Sequence, residues 1–302
     1  MNSTKKSSLG RNLFILSSIA IPLLSFVMFY VIPNFSAFTM AFQTYEGDWT
    51  FLQFERVFRV FGRDDGDLRL ALGNTLLTFG ITVLLYPIKV LNCYFIYKKV
   101  PFSGFYRIVF FIPTIVFSVA LNLVFTQLVG SNGFIAQWVG DLAGLDYTPE
   151  LLADSRYANG VILSQLVWLS LPGDLIIWGG TFTRIPEDVL ESGRIDGTTW
   201  WTEFTKIVVP MVWPTVGLQM TLMFCGILGA GGNVFLLTGG EYGTMTLSAW
   251  LYIQMVDNAG SIETSNALYY MSAVGVCMTV VAVLIGRLVR YIADKAFDEV
   301  EF

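Results

Sequence analysis

The sequence predicts an all-α integral membrane protein with six transmembrane helices and both ends in the cytoplasm. Three observations predict it: a mean hydropathy of +0.62, a charged fraction of only 14% across 302 residues, and six apolar runs long enough to cross a bilayer. A soluble domain carries about 25% charged residues, so the missing charge is the stronger sign. A soluble enzyme, a disulfide scaffold and a disordered tail are disfavoured together.

A span needs about 20 apolar residues, because roughly 30 Å of hydrocarbon is crossed at 1.5 Å per residue. The runs fall at 13–33, 70–97, 106–129, 160–181, 212–236 and 266–290. The first is too long, and too weakly terminated at Pro33-Asn34, for a cleaved signal peptide. Prolines fall within five of the runs (Pro22, Pro87, Pro113, Pro172 and Pro214), where neighbouring helices or water can satisfy the freed backbone groups. Residues 1–12 and 291–302 are read as cytoplasmic tails, 13–290 as the membrane domain, and 34–69, 130–159 and 237–265 as outer loops. The first outer loop mixes aromatics with charge and suggests a short surface helix, then a turn around Arg63-Asp64-Asp65-Gly66-Asp67. That acidic turn lacks the spacing and terminal Glu of a calcium loop.

Orientation follows from Lys and Arg, which favour the cytoplasmic side. Twelve of the 18 lie in the N-terminal tail, the 2–3 and 4–5 connections, the C-terminal tail and the span ends that adjoin them, against five in the outer loops. Acidic residues run the other way, with nine inside and thirteen outside. The one basic and one acidic residue left over, Lys89 and Asp174, lie inside spans at similar depth and are expected to pair, or Asp174 to line a pathway.

Small counts remove whole chemistries. Without histidine there is no His-ligated zinc site, no Ser-His-Asp triad and no His proton relay. Cys93, Cys225 and Cys277 are far apart in apolar runs and read as buried small hydrophobes. A net charge of −5 argues against nucleic acid.

The informative segment is the cytoplasmic 4–5 connection, 182–211. From Ile185 it reads IPEDVLESGRIDGTTWWTEFTKIVVPMVWPT. Pro186 with Glu187 and Asp188 suits a helix start. Asp196-Gly197 suits a stop and turn. A second helix follows, with Trp200, Trp201, Phe204 and Ile207 on its apolar side, ending at Pro210. Such an element either lies at the membrane interface or inserts into a groove of a cytoplasmic partner.

Glu191-Ser192-Gly193, three residues, Gly197, nine residues, Ile207, one residue and Val209-Pro210 resembles the EAA signature of bacterial ABC-importer permeases. Ser192 and Gly193 replace its two alanines and Val209 its leucine, while Asp196 and Phe204 match the extended pattern. Phe105-Tyr106-Arg107 with Phe111-Ile112-Pro113, and Trp168-Leu169-x-x-Pro172, look like the third and fourth spans of carbohydrate-type permeases of the maltose and glycerol-3-phosphate type.

The resemblance implies the type I importer permease fold in a bacterial inner membrane, as a multi-pass transport subunit and not an enzyme. The 4–5 loop would be the coupling helix, with Glu191, Ser192, Gly193, Asp196, Gly197, Phe204, Ile207 and Pro210 serving contact with a cytoplasmic ATPase. This chain has no G-x-x-x-x-G-K-[ST] phosphate loop, so ATP and Mg would be held by that partner and no cofactor by this chain. Implied partners are a second permease (a heterodimer is expected), two ATP-binding subunits, an extracytoplasmic solute-binding protein and lipid. The substrate pathway is implied at Leu169, Ser170, Gly173, Asp174, Gly229 and Asn233. The cargo implied is a sugar, oligosaccharide or polyol, with a non-carbohydrate solute as the alternative. An ion-coupled secondary transporter would call for repeated halves and more intramembrane acids, and a membrane enzyme for a catalytic set that this sequence lacks.

Overall fold

A computed structural model describes residues 16–44, 46–62, 66–172, 174–231, 233–257 and 262–296. They group into two compact units, Met1–Arg63 with Gln254–Thr279, and Asp64–Ile253 with Val280–Phe302.

In the first unit α1 (Leu16–Ala41) is a long apolar helix whose side chains are almost all exposed, as a lipid-facing span requires. It continues to Ala41 rather than ending at 33. Pro33 is carried because a π-type turn, Val27–Val31, precedes it and gives the ring room that a regular turn denies. Phe42 then packs its ring against Phe51 and Phe54, at 5.7 and 4.9 Å. The expected surface helix is α2 (Leu52–Gly62). Arg63, Asp64 and Asp65 of the acidic turn lie outside the described residues, as do the basic residues of the N-terminal tail.

The second unit is a helical bundle. Its elements are α3 (Gly66–Tyr97), α4 (Ser103–Ile115), α5 (Ser118–Val129), α6 (Phe134–Ala143), α7 (Ala158–Ser170), α8 (Leu175–Phe182), α9 (Glu187–Ile195), α10 (Trp200–Met211), α11 (Trp213–Cys225), α12 (Val234–Thr238), the first part of α13 (Leu247–Asp257) and the last part of α14 (Ile262–Ala296). Among the described residues five helical stretches are long and apolar enough to span, Leu16–Ala41, Gly66–Tyr97, Ser118–Ala143 (α5 with α6), Ala158–Phe182 (α7 with α8) and Ala267–Ala296, or six if the bent pair α10 and α11 is counted.

The spans are more broken than the hydropathy runs suggest. The third run is split where Val116 and Phe117 take extended backbone just after Pro113. The fourth is interrupted around Leu171-Pro172, between α7 and α8. The fifth ends as an α-helix at Cys225; Ile227–Gly229 is a 3-10 turn and Gly231 has φ +83°. Averaged hydropathy cannot see these breaks, because the residues on either side are equally apolar. Helices α6 and α13 lie within stretches read as outer loops.

Small residues set the packing of α11 on α14. Gly217 leaves a Cβ only 3.3 Å from that of Ala293, and Gly286 sits directly under the Cys225 sulfur. The Trp213 indole donates to the Ala293 carbonyl at 2.6 Å. Close backbone approach of this kind replaces the hydrophobic drive that lipid cannot supply. Buried polar groups are tied in pairs: Gln165 donates to Asn122 at 2.8 Å, and Thr75 accepts the Leu247 N–H at 2.8 Å.

Candidate functional site

The 4–5 connection folds as the sequence predicts, helix, turn, helix, and each part has a local cause. Pro186 precedes α9 with extended backbone (φ −60°, ψ 133°), and Glu187 and Asp188 occupy the first turn where the helix dipole favours acids. The helix stops in a Schellman arrangement: the Gly197 N–H donates to the Arg194 carbonyl at 3.1 Å and the Thr198 N–H to the Gly193 carbonyl at 3.0 Å. Gly197 has φ +77°, a conformation costing other residues about 1–2 kcal/mol. Thr199 then caps α10, its hydroxyl accepting the Thr202 N–H at 3.3 Å.

The second helix departs from expectation at its end. It runs through Pro210 to Met211 and meets α11 at a bend of 76°. A π-type turn, Phe204–Val208, precedes the proline, where a regular α-turn would press its ring on the Lys206 carbonyl.

One face of the element is fastened to the bundle. Leu190 of α9 and Phe204 and Val208 of α10 are buried in one cluster with Val90, Cys93 and Tyr94 of α3 and Trp178 and Phe182 of α8. Burying Leu190 alone contributes about 2 kcal/mol. Gly193 explains the spacing of the signature. A Cβ built there would lie 2.8 Å from the Ile207 Cδ1 atom, so a small residue at 193 is what lets Ile207 close over α9.

The other face is open. Glu191, Ser192, Arg194, Asp196 and Gly197 are exposed, and Ile195 is 86% exposed. Trp200 and Trp201 are each about half exposed, at 53% and 52%. Ser192 does not share the close packing of Gly193: its hydroxyl turns back to donate to the Val189 carbonyl at 3.0 Å. The predicted residues thus divide, Gly193, Phe204 and Ile207 packing inward and Glu191, Ser192, Asp196 and Gly197 outward.

Sequence reasoning missed Glu203. Its carboxylate is 3% exposed, yet it accepts from the Tyr94 hydroxyl at 2.8 Å and from the Lys98 ammonium at 2.5 Å. The only signal in the sequence was an acid set between Trp201 and Phe204 on an otherwise apolar helix side.

The residues expected along a pathway are less concentrated. Leu169 and Ser170 are half-buried at the end of α7, while Asp174, Gly229 and Asn233 are exposed. Gly173 lies outside the described residues. Asp174 stands at a cavity of about 290 Å³ lined by Phe111, Thr114, Leu175, Ile176 and Ile177. The expected pairing of Lys89 with Asp174 is not formed. Asp174 lies near enough to act electrostatically on Lys89, but accepts instead from Gln219 at 3.4 Å. Asp174 directly precedes the first residue of α8, at the interruption of the fourth span, with backbone (φ −90°, ψ 63°) outside the regular helix that a continuous span would give it. Among the described residues no group of three metal-ligating side chains comes together.

Broken apolar spans around a helix-turn-helix fastened to them on one face are the architecture of a membrane-embedded transport subunit. The chain belongs to the family of binding-protein-dependent transport system inner membrane components, whose sequence profile matches residues 97–298. It is a permease subunit of an ABC importer and a multi-pass inner-membrane protein. It is 25% identical over 188 residues to the osmoprotective compounds uptake permease of Synechocystis, covering 60% of this chain and 67% of that one. It is 23% identical over 284 residues to the multiple sugar-binding transport system permease of Streptococcus mutans, covering 91% and 93%. The fold matches that in the crystal structure of a bacterial alginate ABC transporter in complex with an alginate pentasaccharide-bound periplasmic protein, with a TM-score of 0.77 at 20% identity, over 97% of this chain and 98% of the other.

Proposed function

We propose that this chain forms half of the translocation pathway for a sugar, oligosaccharide or related polyol, delivered by an extracytoplasmic binding protein and driven by ATP hydrolysis on a partner subunit. In this reading the chain is N-in and C-in, pairs with a second permease, and rests on two ATP-binding subunits that hold ATP and Mg. The 4–5 connection is the coupling element.

One observation carries the coupling role: α9 is fastened on one face and presents Glu191, Arg194, Ile195 and Asp196 on the other. A helix with one face buried in its own bundle and an exposed Ile between charges suits insertion into a groove of a second protein. The carbohydrate reading is supported by the multiple-sugar relative and by the alginate importer of like fold. Asp174, Gln219 and Thr114 supply hydrogen-bonding groups for a polyhydroxylated solute beside an apolar wall. The osmoprotective relative supports the second reading, a non-carbohydrate solute of the same importer class.

The test is capture of an ATPase through a tag on this chain, followed by uptake of labelled sugars and labelled osmoprotectants by proteoliposomes of the captured complex. Capture with ATP-dependent sugar uptake is expected. Uptake of osmoprotectants alone would move the substrate class, and failure to capture any ATPase would overturn the coupling role.

A further inference from the structure

We propose that Glu203 is a positioning residue for energy coupling, a latch that joins the second helix of the cytoplasmic loop to the end of α3. The inference rests on the coupling role of the loop proposed above and adds the route by which its displacement reaches the spans.

Both oxygens of the Glu203 carboxylate are engaged from one helix end. Oε1 accepts from the Tyr94 hydroxyl and Oε2 from the Lys98 ammonium. Tyr94 is fully buried, and its ring packs against Phe204 at 5.0 Å and Phe182 at 6.0 Å, with Lys98 above its face at 5.6 Å. Lys98 continues the last turn of α3, its N–H donating to the Tyr94 carbonyl at 2.9 Å. The cation therefore sits at the negative end of one helix and Glu203 in the first turn of another, so each charge also suits its own helix dipole.

The pair has a property that apolar packing does not. Burying one charge is costly unless its partner stays with it, so the two ends resist separation far more than they resist moving together. The cluster around Tyr94 would let α10 slide, since ring contacts are non-directional; a carboxylate held at both oxygens fixes position and rotation at once. A push on α9 reaches α10 through the Gly193–Ile207 contact and then α3 through Glu203, and α3 carries Tyr86 and Lys89, which lie within electrostatic reach of Asp174. Loss of the latch leaves the loop attached but loosely geared.

The experiment uses the complete importer in proteoliposomes: this chain, the partner permease, the ATPase and the binding protein. Three quantities are read, namely the ATPase co-purified, the hydrolysis stimulated by loaded binding protein over basal hydrolysis, and the solute moved per ATP. For Glu203→Gln and Lys98→Met, assembly and basal hydrolysis are expected to remain. Stimulation and solute per ATP are expected to fall by roughly 2- to 30-fold, the range over which single residues tune coupling. The exchange Lys98→Glu with Glu203→Lys is expected to recover at least part of that loss.

Unchanged stimulation and unchanged solute per ATP in the assembled single variants would overturn the latch. A purely structural role would lower the amount of complex and leave both ratios untouched, which also overturns it. Should the charge variants fail to assemble, Tyr94→Phe, which removes one hydroxyl, decides: reduced stimulation upholds the latch and full stimulation overturns it. Failure of the unaltered chain to capture an ATPase would instead defeat the coupling role itself.

Discussion

Gly193 and Gly197 stand four residues apart and are small for different reasons, which their substitutions would separate. At Gly193 the constraint is space, since a Cβ meets the far end of the flexible Ile207 side chain. Gly193→Ala is therefore expected to be tolerated after a small shift of Ile207, in keeping with the alanine of the EAA pattern. Gly193→Leu would force α9 off α10 at about 1–3 kcal/mol. At Gly197 the constraint is backbone, because φ is +77° and nothing lies within 4 Å of a Cβ. Gly197→Ala should cost about 1–2 kcal/mol despite the open space. Thermal unfolding of the purified chain in lipid checks all three; equal effects of alanine at the two positions would contradict the distinction. Much at this scale was legible in the sequence: Asp196-Gly197 announced the turn and Pro186 the helix start. Glu203 was not, because a buried acid and a solvated one look alike until Tyr94 and Lys98, more than 100 residues earlier in the chain, are brought beside it.

The elements hold together by close approach where glycine permits it. Helix α11 meets α14 where Gly286 lies under Cys225 and Gly217 under Ala293. Gly286→Ala is expected to destabilise by about 1–3 kcal/mol through overpacking. Adding Cys225→Ala should return most of that stability, because it removes the sulfur the new methyl meets. Denaturation of the two singles and the double in one lipid mixture gives the cycle, and strict additivity would contradict the contact. Hydropathy found the long apolar helices and placed the loop between the fourth and fifth runs. It could not find the breaks at Val116-Phe117, around Pro172 or after Cys225, where apolar residues continue and only backbone direction changes. Nor could it show that the second loop helix runs past Pro210, since the π-type turn that makes room for the ring has no compositional mark.

For the molecule as a whole, the proposed function places solute handling and energy input at separate positions in the same unit. Asp174 stands at the cavity that Thr114 and Phe111 line, and its expected partner Lys89 does not neutralise it in an ion pair. Asp174→Asn is expected to reduce solute uptake by about tenfold, the worth of one hydrogen bond to a charged group, while leaving basal ATP hydrolysis intact. Equal loss of both activities would place Asp174 in the coupling machinery instead. The most direct test of the central claim uses the 86% exposed Ile195 at the open end of α9. With Cys93, Cys225 and Cys277 replaced, Ile195→Cys in intact cells should resist a membrane-impermeant thiol reagent, react in inside-out vesicles, and cross-link to the ATPase when a thiol cross-linker is added to those vesicles. Labelling from outside the cell, or a cysteine that never joins the ATPase, would contradict the account.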